Sequence, residues 1–132
     1  MSVGPLDLID SARLIRETQP SEAGQRAAIS RAYYAAFHAA AYFHAGLASQ
    51  GKWLPQTGSH GQLINQLAYP TIASTDPAFH VSRRIGNMLR DVYRERVLAD
   101  YKLTQNLRDA DVEFSMRTAN AILKDSEPAA KL

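Results

Sequence analysis

Cysteine is absent from this chain of 132 residues, which excludes a disulfide framework, a thiolate metal site and a cysteine nucleophile. Its four histidines, His38, His44, His60 and His80, show no HExxH or comparable ligand spacing, so a metal site is not expected. Gly51, Gly58 and Gly61 form neither GxGxxG nor a Walker pattern, which removes the common nucleotide-phosphate loops. No apolar run reaches the roughly 18 residues of a membrane span. MSVGPLDLID lacks the basic and then apolar regions of a secretory leader. The expectation is a cytoplasmic protein with no membrane association and no cofactor. Nothing alternates with period two over a useful length, and no repeat or low-complexity tract is present.

What is present is helix. Residues 27–47, AAISRAYYAAFHAAAYFHAGL, hold nine Ala, no Pro and only Gly46 near the end, so the backbone has little reason to adopt anything else. At about 100° per residue, Ile29, Tyr33, Ala36, Phe37, Ala40, Phe43 and Leu47 fall on one apolar stripe, the core face. Arg31, Tyr34, His38 and Tyr42 project from the opposite side. A solvated face would carry Lys, Glu and Gln; aromatics and a His among small Ala residues mark a surface approached by another helix, a second subunit or a ligand.

The remaining pattern gives one domain over residues 1–132, an all-α up-and-down bundle of four long helices plus one short helix, with its core at about residues 5–124 and a frayed tail at 125–132. A first helix from Pro5 to about Glu17 turns Leu6, Ile9, Ala12 and Ile15 inward. Pro20 suits the first turn of the second, which runs from residue 20 to about 48. Residues 51–58, GKWLPQTG, read as a loop with Trp53 and Leu54 tucked against the bundle. Ser59 caps a short third helix to about Tyr69, with Leu63, Ile64 and Leu67 inward. Asp76-Pro77 opens a fourth to about Ala99, with Val81, Ile85, Met88, Leu89 and Val92 as its stripe. A fifth, about 107–124, turns Val112, Met116, Ala119 and Leu123 inward.

The formal net charge is only +2, so the distribution matters more than the total. Between Ser82 and Leu98 stand five Arg against Asp91 and Glu95. Arg83, Arg90 and Arg94 share one row, joined by Tyr101 if the helix persists. That row is either a solvated basic face or a phosphate-tracking strip beside an aromatic that stacks on a base. Arg96 instead points along the apolar stripe, where a guanidinium needs a partner, and Asp100 at i+4 is within reach. Its alternatives are a buried ion pair and a phosphate contact. His38 and Arg31 share a face; a neutral imidazole beside a guanidinium can act as general base on a ribose 2′-OH, although interfacial packing of His38 is the plainer reading. His44 reads as a satisfied core histidine, and His60 as a capping or loop-anchoring residue.

SRAYYAAFHAA (30–40), TGSHGQL (57–63) and RVLADY (96–101) together resemble the HEPN domain, specifically the small stand-alone proteins often encoded beside a minimal nucleotidyltransferase. The resemblance spans roughly residues 5–124. It implies a homodimeric helical bundle associated with RNA cleavage in toxin–antitoxin and defence systems, in which an Arg followed by four to six residues and a His works across a dimer cleft. Arg96 matches that Arg, but no His follows it and Tyr101 stands in the window. The expectation is a dimeric module lacking ribonuclease activity, acting as partner of a nucleotidyltransferase or as an RNA- or nucleotide-binding component. The alternative is a metal-independent ribonuclease toxin with a divergent site. Arg96, Asp100, Tyr101 and His38 are the catalytic candidates; Arg83, Arg90, Arg94, Arg31 and Tyr34 are the candidates for RNA or nucleotide binding.

Overall fold

The computed structural model describes residues 3–55 and 57–130, the last three without their side chains. Five helices follow in order: α1 (Pro5–Thr18), α2 (Glu22–Ala45), α3 (Ser59–Ala68), α4 (Pro77–Tyr101) and α5 (Asp109–Ala130). The architecture is the expected all-α bundle, with no strand among the described residues. The Ala-rich α2 touches all four other helices, because small side chains let several neighbours approach its axis together. Its inward face, Ile29, Ala32, Tyr33, Ala36 and Ala40, is buried, as are Leu67 of α3, Ile85 and Leu89 of α4, and Val112 and Ala119 of α5.

The helix starts follow local chemistry. Pro5 and Pro77 occupy first turns, and the Asp76 carboxylate accepts the Ala78 N–H at 2.9 Å. Pro20, expected inside α2, lies before it: Ser21 is the N-cap and accepts the Gly24 N–H at 3.1 Å. The same helix stops at Ala45, short of residue 48, where the Gly46 N–H turns back onto the carbonyls of Tyr42 and Phe43. Ser59 is not a cap either; the Gly58 carbonyl takes the Gln62 N–H at 2.8 Å, so Ser59 is already helical. Gly86 serves a packing need. A Cβ there would stand 2.6 Å from the Ala68 backbone nitrogen, so its absence lets α4 cross the end of α3.

Three further expectations are corrected. Leu6 and Trp53 are 71% and 64% exposed: Leu6 sits at the rim of an open cleft where α1 begins, and the loop carrying Trp53 is fastened through its backbone rather than its ring. There the Gln62 Oε1 accepts the Leu54 N–H, and Gln66 donates to the Gly51 carbonyl. The tail does not fray over 125–130, which continue α5. Ser126 is buried and Asp125 receives the Arg84 guanidinium at 2.7 Å, tertiary contacts that hold the last turns in place. Gln56 of the expected loop and residues 131–132 of the expected tail lie outside the described residues.

Candidate functional site

One face of α2, Arg26, Ser30, Tyr34 and His38 at successive i+4 steps, contributes to the site. Arg26 and Ser30 meet the C-terminal turns of α4 directly. Arg26 anchors the arrangement. Only 7% exposed, it donates through Nη1 to the carbonyls of Leu98 (2.8 Å), Ala99 (3.1 Å) and Lys102 (3.3 Å), and through Nη2 to Gln105 (2.6 Å). These carbonyls belong to the last turn of α4 and the turn after it, where Leu98 and Lys102 already accept the N–H groups of Lys102 and Gln105, and a cation is favoured at that pole of the helix dipole. The contact fixes where α4 ends, and with it the neighbouring Arg96, Asp100 and Tyr101.

Arg96 is held as its spacing implies, with more partners than expected. Its side chain is 11% exposed, and Nε stands 3.1 Å from Asp100 Oδ2, an ion-pair distance without hydrogen-bond alignment. Nη2 donates to the Tyr34 hydroxyl at 3.0 Å and to the Tyr101 hydroxyl at 3.4 Å. The guanidinium carbon also lies 5.8, 5.5 and 5.2 Å from the ring centres of Tyr33, Tyr34 and Tyr101, within cation–π range. Burial works against the charge, but Tyr34, Tyr101 and Asp100 outweigh it and the pKa is raised.

His60 reaches the same cluster through space. Its ring packs against Phe37 at 4.8 Å and Tyr93 at 5.6 Å between centres, and Nδ1 lies 2.6 Å from the Tyr33 hydroxyl. Burial, only partly offset by Arg96, pushes the Tyr33 phenol above its usual range, so it keeps its proton. Burial and the Arg96 charge push His60 down, favouring the neutral ring. Where the Tyr33 hydroxyl donates to Nδ1, the neutral ring carries its proton on Nε2. The anchoring role expected for His60 holds, but its anchor is the buried Tyr33 rather than a helix cap. His44 is a satisfied core histidine: 7% exposed, it accepts the Gly51 N–H on Nε2 at 3.1 Å, and burial lowers its pKa.

Beside Arg96, a cleft of about 550 Å³ is lined by Leu8, Ser30, Arg31, Tyr34, His38 and Asp100. Four of the sequence candidates thus meet in one place. Arg31 has no hydrogen bond or ion pair among the described residues and is exposed, as is His38. Two cationic or neutral donors flanking a phenol suit an anionic oxygen. The Asp100 carboxylate on the same wall suits an O–H or N–H donor. Arg83, Arg90 and Arg94 do not line this cleft. Arg83 lies over the Phe79 ring at 5.8 Å, Arg90 donates to Asn87 at 3.2 Å, and Arg94, 72% exposed, stands 3.9 Å from Asp91. Tyr101 joins Arg96 instead of extending that row.

No family model, no curated protein and no solved structure matches this chain. What the cleft can do rests on its own geometry. Arg26 and Ser30 escaped the sequence reading. The signal that could have found them is the i+4 row they share with Tyr34 and His38, a polar line on a helix otherwise filled with Ala. Among the described residues no group of three or more His, Asp or Glu is placed to hold a metal ion, and no helix is long and apolar enough to cross a membrane.

Proposed function

We propose that this chain is a HEPN-like dimeric helical module that binds an RNA or nucleotide phosphate at the cleft between α2 and α4 and lacks ribonuclease activity of its own. In this reading it partners a nucleotidyltransferase or serves as the RNA-binding component of a toxin–antitoxin or defence system. The likeness rests on the residues of 30–40, 57–63 and 96–101 alone. The observation that carries the binding reading is the cleft itself, where the unpaired Arg31, the Tyr34 hydroxyl and His38 converge. Arg90 and Arg94, which do not line the cleft, would add separate phosphate contacts on α4.

The absence of cleavage follows from the state of the imidazoles. Cutting RNA without a metal takes one group to remove the 2′ proton and another to protonate the leaving 5′ oxygen. His60 Nδ1 is engaged by the Tyr33 hydroxyl, and among the described residues His38 makes no hydrogen bond that orients its ring for proton transfer. A second reading, a metal-independent ribonuclease with a divergent site, is favoured by one observation: His60 reaches the rings around Arg96 from another helix.

The test incubates the purified protein with labelled single-stranded RNA in EDTA, beside Arg96→Ala, His38→Ala and His60→Ala. The expected result is salt-sensitive binding without cleavage, with Arg31→Gln weakening binding and lowering the salt slope by about 1. Cleavage that disappears in any of the three variants overturns the proposal and promotes the ribonuclease.

A further inference from the structure

We infer that Asp100 accepts a ribose hydroxyl of the ligand, so that the cleft selects ribonucleotides over deoxyribonucleotides; this rests on the binding reading above. Asp100 places a carboxylate on the wall of a cleft whose other polar groups, Arg31, Tyr34 and His38, suit an anion. A carboxylate beside a phosphate repels it, and such a residue assists binding only by facing a hydrogen-bond donor of the ligand.

Asp100 is held for such a role. Both of its protein contacts fall on one oxygen: the Ser30 hydroxyl donates to Oδ2 at 3.1 Å, and Arg96 Nε stands 3.1 Å from the same atom. Oδ1 has no hydrogen bond among the described residues, and the side chain is 29% exposed. The carboxylate is therefore fixed by one oxygen and presents the other as an unused acceptor. The Arg96 charge behind it tempers its repulsion of a nearby anion.

A nucleotide offers two kinds of donor, sugar hydroxyls and the N–H groups of the base. Within one nucleotide the sugar hydroxyls lie next to the phosphates, whereas the base edge is directed away. In a cleft of about 550 Å³ that Asp100 shares with Arg31 and His38, a phosphate held by the Arg31 guanidinium brings the adjacent hydroxyl to the carboxylate. The 2′-OH is also the group by which a protein tells RNA from DNA.

Oligouridylate isolates the effect when it is compared with strands of the same base, because the one donor of uracil, its N3–H, is common to all of them. Fluorescence anisotropy at fixed salt compares oligouridylate with its deoxy and 2′-O-methyl counterparts of equal length. The wild-type protein is expected to bind the ribo strand about tenfold tighter than either. Asp100→Ala is expected to abolish the preference. Ser30→Ala, which loosens the carboxylate without removing it, is expected to lower the ribo-to-deoxy ratio, so the test stands even where Asp100→Ala does not fold. Equal affinities in the wild type, or a ribo preference that persists in the folded variants, overturn the inference while leaving the binding reading in place. Binding of none of the three strands overturns both.

Discussion

Arg96 sits where a charge has to be matched or the fold suffers. Removing it in Arg96→Ala takes the guanidinium from Asp100 and from the hydroxyls of Tyr34 and Tyr101. Were Asp100 fully buried, the loss would be about 3–5 kcal/mol. At 29% exposure, water and Ser30 recover part of it, and about 1–3 kcal/mol is expected by urea denaturation. The histidines give a second test. His44 and His60 both have pKa values lowered by burial, His60 also by Arg96. The unfolded chain therefore binds protons that the folded chain refuses below about pH 6.5. Their contribution to stability is complete above that pH and is lost as pH falls through the window beneath it. Melting temperature is expected to decline from pH 7 toward pH 5, and NMR titration is expected to place both midpoints below the ordinary imidazole value. Midpoints at or above that value would refute the assignment.

The end of α4 is the element on which the site depends, and its anchor comes from another helix. Arg26 satisfies four carbonyls at once, a task suited to the planar fork of a guanidinium and unsuited to a lysine. Arg26→Met keeps the apolar stem and removes every one of those bonds. A loss of about 2–4 kcal/mol is expected, with faster amide exchange in the turns around Ala99–Lys102. Arg26→Lys is expected to recover only part of the loss. Exchange that stays at the parental rate in Arg26→Met would show that α4 ends where it does for other reasons.

At the scale of the whole molecule, the outer side of α4 carries the exposed Arg83 and Arg94, and Tyr101 just beyond them is 67% exposed. The proposed homodimer buries part of this side. Light scattering at tens of micromolar is expected to give twice the 14.6 kDa mass of one chain, and a monomer mass would count directly against it. Dimerisation through α4 would bring the exposed Arg94–Asp91 pair into the interface, so the association should also respond to salt.

The apolar periodicity by itself determined the all-helical class, the stripe on α2 and the inward residues of α3, because burial of a helix face is written at fixed intervals along the chain. The Arg96–Asp100 pair was legible for the same reason, as an i+4 step on one helix. Other features depended on how helices rotate and cross. Leu6 and Trp53 are apolar yet exposed, and the final turns are polar yet ordered by Arg84. The contacts that define the site join Tyr33 to His60 across 27 positions, Ser30 to Asp100 across 70, and Arg26 to Leu98 across 72. No local interval encodes such partners. They meet because packing around the small side chains of α2 sets the angle and depth at which α3 and α4 approach it.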